Sequence, residues 1–247
     1  MSILGIIPAR YASSRFPGKP LVGIGGKSMI RRVYEQASKA SRLGAVVVAT
    51  DDQRIQEEVL SFGGKVVMTG EHHRSGTDRC AETLEKTEGK WDAVINIQGD
   101  EPFIQPEQID LLCSLFDDAS TQIGTMVKKL HDITDLDNPN IIKVVLDNEK
   151  NGLYFSRSPI PHLRGIPSED RLKHHFFYKH IGIYGYRADV LRKITQLEPG
   201  KLEIAESLEQ LRWLENGYKI RTAYTELETI SVDAPEDLDK LVAAGLI

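Results

Sequence analysis

Long apolar runs are missing from this sequence. The longest ones, at 3–7 and 45–49, are far shorter than the roughly 20 residues that a helix needs to cross a bilayer. The first residues also lack the basic segment and small-residue cleavage site of a secretory signal peptide. We therefore expect neither a membrane-spanning helix nor a signal peptide.

Cysteine and surplus basic charge are also scarce. The two cysteines, Cys80 and Cys113, lie far apart without metal-binding spacing, which is typical of a reduced, cytoplasmic protein. Lys and Arg total 31 against 36 Asp and Glu, a net charge of −5. A general nucleic-acid-binding protein usually carries a basic surplus, so the balance argues against that class. The charge balance does not exclude binding of small phosphorylated ligands, because a few clustered cations suffice for it.

Apolar residues are nevertheless plentiful, at 40% of 247 residues, which is enough to bury the core of one large domain. Buried strands are predicted at 3–7, 45–49, 66–68 and 93–97. Segments with helical spacing lie between them, and Pro8 is expected to end the first strand. This alternation predicts an α/β fold, a parallel sheet with helices on both faces. Ligands of such sheets bind where the carboxyl ends of the strands meet.

The pattern changes after about Gly124. Strand-like pieces are predicted at 125–130, 142–146, 153–156 and 180–186. A long helix is expected over 203–216, and Pro235 is expected to open a closing helix. We interpret the whole chain as a single domain in which 1–123 form one part and 124–230 a mixed-sheet extension.

The loop after the first predicted strand carries three cations, Arg10, Arg15 and Lys19, separated by small residues. Small residues let backbone N–H groups approach an anion, Arg offers a fork of donors and Lys a compact charge. The combination favours a triphosphate site over the alternative, a solvated basic loop. Nearby, residues 25–28 imitate the end of a Walker A loop, but Leu21 stands where that motif needs glycine, so we interpret them as a turn and helix cap.

Two acids are candidate magnesium ligands. Asp100 follows a predicted buried strand and a glycine, and Asp233 precedes the closing helix. Magnesium is usually held by one or two carboxylates together with substrate phosphates. Each acid has a structural alternative as a helix cap, and both roles could be filled together.

The polar segment 73–79 follows a strand and opens a helix, which makes it a candidate to contact a base or a ribose. The adjacent histidine pairs at 72–73 and 174–175 lack useful metal spacing, because neighbouring side chains point apart. We interpret those histidines as surface or hydrogen-bonding residues.

Taken in order, these segments resemble the cytidylyltransferases that activate sugar acids, in particular the 3-deoxy-manno-octulosonate (Kdo) cytidylyltransferase family. The similarity covers essentially the whole chain, in the segments 6–21, 49–52, 73–79, 96–102, 154–161, 180–186, 209–212 and 232–238. The loop 10–19 is its most specific part, and 156–161 favours Kdo over sialic acid. One departure is Ala234, where the family often has threonine, and it leaves the neighbouring carboxylate intact.

The resemblance implies a Rossmann-like nucleotidyltransferase fold and a role for each matching residue. Catalysis would rest on Arg10, Lys19 and Asp100. The nucleotide would be bound by Ala9, Arg10, Ser13, Arg15, Lys19, Arg74, Ser75 and Asp78. The sugar pocket would be lined by Gln98, Arg157, Arg164, His180, Tyr184, Glu209 and Gln210. Asp100 and Asp233 would hold Mg²⁺. By itself, Arg157 could equally be a surface residue, and a lone strand histidine such as His180 is more often structural.

The implied reaction transfers CMP from CTP to the anomeric hydroxyl of Kdo for lipopolysaccharide synthesis. The implied enzyme is a homodimer, with 1–123 binding the nucleotide and 124–230 serving the sugar and the dimer contact. Two alternatives stay open. The acceptor could be a related acid such as 8-amino-Kdo or sialic acid, or the chain could be a non-catalytic nucleotide sensor, since a fold alone does not fix function.

Overall fold

The parallel sheet predicted for the first half is present in the computed structural model, which describes residues 1–12 and 16–246. Its strands are β1 (Ile3–Ala9), β4 (Ala45–Thr50), β5 (Val66–Met68) and β6 (Ala93–Asn96), with a small hairpin of β2 (Gly23–Ile24) and β3 (Lys27–Ser28). The helices are α1 (Met29–Ala37), α2 (Gln53–Ser61), α3 (Gly76–Lys86) and α4 (Pro106–Ser114). β1 pairs in parallel with β4 and β6, and β4 with β5.

The second half continues the same sheet. Its strands are β7 (Ile123–Lys129), β8 (Lys143–Leu146), β9 (Gly152–Ser156), β10 (Tyr178–Arg187) and β11 (Ile220–Tyr224). Its helices are α5 (Ile133–Asp137), α6 (Arg171–His174), α7 (Ala188–Ile194), α8 (Lys201–Glu206), α9 (Gln210–Glu215) and α10 (Asp237–Ala243). The main strand order is β11-β7-β10-β6-β1-β4-β5, and β8 joins β10 to β9.

β10 is the element that links the two halves. It runs antiparallel to both β6 and β7, with Tyr184 opposite Asn96 at the carboxyl end of β6. Residues 178–183 of β10 therefore project past the end of β6, over the edge where the parallel strands finish. The mixed sheet expected from the sequence is confirmed, and its one reversed central strand lies beside the expected ligand edge.

Helices cover both faces of the sheet, as predicted. On one face α1, α2 and α4 bury Val33, Ile55 and Leu112 against the sheet. On the other, Cys80 of α3, Leu191 of α7 and Trp213 of α9 pack together. The α1 helix begins where the sequence indicated, because the Ser28 side chain accepts a hydrogen bond from the Arg31 N–H. Among the described helices, none combines the length and apolar character needed to cross a membrane.

Three predicted boundaries were wrong. The closing helix α10 begins at Asp237, with Glu236 as its N-cap, and not at Pro235. Strand β1 continues through Pro8 to Ala9, and proline is tolerated there because pairing with β6 already ends at Ile6. The helix expected over 203–216 is two helices, α8 and α9, separated by Ser207 with φ 52°. This left-handed residue ends α8 and redirects the chain into α9. Leu208, Leu211 and Trp213 are buried, as expected.

Candidate active site

A cleft of about 290 Å³, here called the strand-end cleft, opens where β1 and β6 finish. Its walls come from the end of β1, the short turn at Lys19, the start of α3, the chain after β6 and Asp233. The sequence-predicted site residues that line it are Ala9, Arg10, Lys19, Arg74, Ser75, Gln98, Asp100 and Asp233. Ser13 and Arg15 lie outside the described residues.

Three charged groups, here called the acid–lysine cluster, meet at this cleft. The Nζ atom of Lys19 lies 2.9 Å from an oxygen of Asp100 and 3.3 Å from an oxygen of Asp233. The side chains are 14%, 28% and 38% exposed, respectively, so solvent and a ligand can reach them. The ammonium holds together two carboxylates that come from positions 133 residues apart in the sequence (233 − 100).

The two acids are not helix caps. Helix α4 begins at Pro106 with Gln105 as its N-cap, and α10 begins at Asp237 with Glu236 as its N-cap. The carboxylate of Asp237 accepts hydrogen bonds from the N–H groups of Asp233 and Ala234, at 2.8 and 2.9 Å. The capping alternative for Asp100 and Asp233 is therefore wrong.

Backbone contacts fix how closely the acids approach β1. The N–H of Val232 donates to the carbonyl of Asp100 at 2.9 Å, and buried Val232 packs against Ile24 and Met29. A Cβ atom on Gly99 would lie 2.7 Å from the carbonyl oxygen of Pro8. Only glycine fits at 99 without a shift of the backbone, so this residue lets the chain carry Asp100 to the end of β1.

The cationic loop closes on itself before Lys19. The N–H of Gly18 donates to the carbonyl of Tyr11 at 2.9 Å, and Gly18 has φ 74°, a conformation that favours glycine. The Arg54 guanidinium lies 3.3 Å from the centre of the Tyr11 ring. Helix α2, which carries Arg54, thereby anchors one end of the loop beside Arg10.

The start of α3 forms the facing wall. Ser75 and Asp78 make a capping box, in which each side chain accepts a hydrogen bond from the other residue's backbone N–H. Arg74 lies just before this box and lines the cleft. The amino end of α3 carries partial positive charge, which suits an anionic ligand.

A second group of side chains, here called the aromatic cluster, comprises His180, Tyr184, Tyr186 and Trp213. The rings of Tyr184 and Tyr186 stack at 6.1 Å, and Trp213 meets both edge-on. His180 Nε2 is 2.9 Å from the Thr125 hydroxyl, which fixes the orientation of the ring. Burial lowers the pKa of His180 to about 3 and raises that of Tyr184 well above its ordinary value. Both side chains are therefore neutral at physiological pH.

Contacts from Gln98 and Thr77 join the two groups. Gln98 donates from its amide to the carbonyl of Gly182 at 2.7 Å, which ties the chain after β6 to the overhanging part of β10. The Thr77 hydroxyl donates to Glu209 at 2.8 Å and lies 3.4 Å from the Tyr186 hydroxyl. Desolvation raises the pKa of Glu209 despite the hydrogen bond from Thr77. The buried Tyr184 hydroxyl has no hydrogen-bond partner among the described residues.

Of the predicted sugar residues, which all lie in the described part of the chain, Gln98 alone lines the strand-end cleft. The Arg157 guanidinium donates to three backbone carbonyls, those of Glu206 at 2.7 Å, Pro139 at 3.0 Å and Ser207 at 3.3 Å. Gln210 is buried at the start of α9, and Arg164 is exposed and does not line the strand-end cleft.

The interpretation of His72 and His73 as side chains that point apart was wrong. Their rings lie 4.5 Å apart, because the chain turns sharply after Gly70. The exposed pair at 174–175 precedes β10.

Three further residues at the cleft or beside it were missed as individual site candidates. Asn96 and Arg79 line the strand-end cleft and are buried, and Thr77 joins α3 to Glu209. Arg79 donates to Asp51 at 2.6 Å and to Thr69 at 2.5 Å, which connects α3 to the ends of β4 and β5. Their position on a strand end or the first turns of a helix was the available signal, because both ends lie at the ligand edge.

Comparison with known proteins gives a consistent result. Residues 4–220 match the model of the family described as Cytidylyltransferase. The chain is 57% identical to a 3-deoxy-manno-octulosonate cytidylyltransferase of Parabacteroides distasonis, over 98% of each chain. The corresponding protein of Bacteroides thetaiotaomicron is 56% identical over 96% of each.

A solved structure agrees at the level of the whole fold. CMP:2-keto-3-deoxy-manno-octonic acid synthetase complexed with CTP superposes with a TM-score of 0.91 and 43% identity, covering 100% of this chain and 99% of that one. A 4-diphosphocytidyl-2C-methyl-D-erythritol synthase from Anaerococcus prevotii, at 13% identity and TM-score 0.64, shares the fold alone. The chain belongs to the cytidylyltransferase family and, within it, to the 3-deoxy-manno-octulosonate cytidylyltransferases.

Proposed function

We propose that the protein transfers CMP from CTP to the anomeric hydroxyl of Kdo and releases pyrophosphate. The observation that carries the proposal is the acid–lysine cluster at the end of the parallel strands, in a chain of this family. Two carboxylates and a lysine facing one cleft are the groups that metal-assisted transfer at a phosphorus needs.

The nucleotide would lie in the strand-end cleft. Arg10, Lys19 and the amino end of α3 supply positive charge on its walls, with Ala9, Arg74 and Ser75 beside them. Asp78 lies next to this wall, in the capping box with Ser75. In the capping box, Ser75 and Asp78 each accept one hydrogen bond through a side-chain oxygen. Contacts to the nucleoside would therefore use the Ser75 O–H, the second Asp78 oxygen or the backbone. Ser13 and Arg15 complete the proposed phosphate set.

Asp100 and Asp233 fit a magnesium ion. The ammonium of Lys19 already bridges them, so the site holds a positive charge between two hard oxygen donors. When bound, Mg²⁺ neutralises phosphate charge and makes the attacking hydroxyl more acidic. Lys19 would stabilise the charge that develops on the α-phosphate as the P–O bond to pyrophosphate breaks.

The sugar acid would occupy the space between the acid–lysine cluster and the aromatic cluster. Gln98, His180, Tyr184, Glu209 and Gln210 are the proposed contacts. The unpartnered Tyr184 hydroxyl supports this, because a ligand hydroxyl there would satisfy a buried group that otherwise costs stability. Arg157 and Arg164 would serve the carboxylate only if their side chains reorient on binding, since Arg157 now donates to backbone carbonyls.

We also propose that the protein is a cytoplasmic homodimer that acts in lipopolysaccharide synthesis. Residues 1–123 would bind the nucleotide, and residues 124–230 would bind the sugar and form the dimer contact. Exposed apolar side chains on the second part, such as Leu153 and Phe176, at 61% and 58% exposure, support a contact there. Sedimentation of the purified chain would give the oligomeric state.

The test is pyrophosphate release with Mg²⁺ and each of the four NTPs, offered with Kdo, 8-amino-Kdo or sialic acid. We expect release with CTP and Kdo. Faster release with another acid would support the proposed reaction but identify that acid as the substrate. No release with any pair would overturn the proposal and favour a nucleotide sensor, which binding of CTP without turnover would then identify.

A further inference from the structure

Three potential metal ligands meet between the turn after Gly70 and helix α3, and one of them, His73, also lines the strand-end cleft. They are His72, His73 and Glu82, and their ligand atoms all lie within 4.8 Å of one another. Among the residues that the structure describes, no other set of three or more His, Cys, Asp or Glu side chains is grouped this way.

The turn at Gly70 brings the two histidines together. A Cβ atom on residue 70 would collide with the His72 ring, so glycine provides the space in which that ring lies. The two imidazoles are 4.5 Å apart and inclined by 39°. Adjacent side chains on an extended segment point to opposite sides, and this turn removes that obstacle to shared coordination.

Glu82 completes the group from the neighbouring helix. One of its oxygens accepts a hydrogen bond from the Gly70 N–H at 2.9 Å and contacts His73 Nε2, and the other pairs with Lys86 at 2.6 Å. Desolvation alone would raise the pKa of Glu82, but hydrogen bonds from Lys86, Gly70 and His73 outweigh it and lower the pKa to about 2. The carboxylate is therefore ionised and held in place beside both rings.

We propose that His72, His73 and Glu82 form a binding site for a transition-metal dication of the zinc class. Two imidazoles and one carboxylate are a donor set that zinc accepts, whereas magnesium prefers oxygen ligands. All three side chains line a second cleft of about 1220 Å³, here called the outer cleft. A fourth coordination position would face that space and take water or a ligand group.

The required rearrangement is small. Tetrahedral zinc with bonds of about 2.0–2.1 Å keeps its ligand atoms roughly 3.3 Å apart. Glu82 and His73 would separate slightly to admit the ion, and His72 would move inward by up to about 1.5 Å, which a side-chain rotation can supply. His72 is exposed and is free to make that rotation without disturbing the core.

Metal binding would fasten the segment 70–75 to α3. That segment includes Arg74 and Ser75, which line both clefts. The site is thus distinct from Asp100 and Asp233 yet connected to the wall of the strand-end cleft. The inference does not depend on the proposed reaction, because it concerns binding of an ion by side chains that the reaction does not use as metal ligands.

The experiment titrates the untagged protein with Zn²⁺ by calorimetry and with Co²⁺ by visible absorption. The background is Asp100→Asn, which weakens competing binding at the acid–lysine cluster. We expect one ion per chain, bands typical of four-coordinate Co²⁺, and a raised Tm on zinc addition. His72→Ala should weaken zinc binding by at least about tenfold and remove the Co²⁺ bands.

His174→Ala is the matched control, because it removes an exposed histidine from the other adjacent pair. It should bind zinc as tightly as the parent, which here is the Asp100→Asn background without a further substitution. Equal affinity in the parent and His72→Ala, an equal loss in His174→Ala, or no binding by the parent would each overturn the proposal. Because none of these measurements uses turnover, they stay interpretable even if the proposed reaction fails.

Discussion

The acid–lysine cluster and the aromatic cluster both lie near the carboxyl end of β6 but are built in different ways. In the first, ionised side chains are 14% to 38% exposed, and the ammonium of Lys19 bridges the two carboxylates. In the second, side chains of a central strand and a helix are packed ring against ring. Burial lowers the pKa of its histidine, His180, and keeps the ring neutral.

The difference matches two recognition problems. A triphosphate with a metal brings large charges, and partly exposed ionic groups can exchange one partner for another at low cost. A sugar acid must be distinguished from similar acids by its hydroxyls, and buried neutral polar groups do that best, because a wrong ligand leaves them unpaired. Substitutions in the acid–lysine cluster and in the aromatic cluster should therefore have different effects.

Asp100→Asn should have the largest effect. We expect pyrophosphate release to fall by about a thousandfold, because a carboxylate proposed to hold Mg²⁺ becomes neutral. Tm should change little, since this acid is 28% exposed. Asp239→Asn, an exposed acid on α10, is the control and should retain activity. Near-normal turnover in Asp100→Asn would remove the metal assignment.

Lys19→Met tests whether the cluster exchanges cations. We expect turnover to fall by about a hundredfold, because the charge proposed for the α-phosphate is lost. Without metal, Asp100 and Asp233 would lose the ammonium that bridges them, at a stability cost of at most about 1 kcal/mol for such part-exposed groups. Mg²⁺ should restore Tm but not turnover. If Mg²⁺ does not change the Tm of Lys19→Met, the idea that lysine and metal bind the same two carboxylates is contradicted.

On the aromatic side, stability and function should move in opposite directions. Tyr184→Phe removes a buried hydroxyl that has no partner among the described residues, so Tm should stay constant or rise. The KM for the sugar acid should rise by about tenfold while that for CTP is unchanged, because a ligand contact is lost. Steady-state kinetics with each substrate varied in turn measures both.

Tyr186→Phe is the matched control for this pair. Its hydroxyl has a partner in Thr77, at 3.4 Å, so its removal should lower Tm slightly. If Tyr184→Phe is the more destabilising of the two and leaves both KM values alone, Tyr184 is structural and the sugar pocket lies elsewhere.

Sequence reasoning worked best where short-range rules decide the structure. The strands β1, β4 and β6 are apolar runs, and Ser28 and Ser75 cap helices by their own side chains. The loops that follow these strands must meet at one edge in any parallel sheet, so the convergence of Lys19 and Asp100 could be predicted.

It failed where distant contacts decide. Ser207 interrupts a helical pattern although it is not a glycine. Glu209 then accepts a hydrogen bond from the hydroxyl of Thr77, 132 residues away in the sequence. Nothing local indicates that the Arg157 guanidinium is engaged by backbone carbonyls, or that a turn at Gly70 makes His72 and His73 neighbours. These outcomes depend on packing between segments far apart in the chain, which spacing and composition do not encode.

The smallest predicted effect concerns the pH dependence of stability. Burial lowers the pKa of His180 to about 3, below the ordinary 6.5, so the folded protein keeps this ring neutral while the unfolded chain protonates it. Its contribution is therefore fully present above about pH 6.5 and is lost progressively as the pH falls from there toward about 3. Between about pH 7 and 5.5 the free energy of unfolding should drop by about 1 kcal/mol from this group alone.

His180→Gln should abolish that part of the drop, because a glutamine at 180 cannot take up a proton when the chain unfolds. Urea unfolding of parent and variant at both pH values isolates the effect, since the other histidines and all carboxylates are common to both proteins. Equal slopes would mean that the ring is solvated enough to titrate in the folded state. The aromatic cluster would then be open like the acid–lysine cluster, and the contrast between the two sides would rest on charge alone.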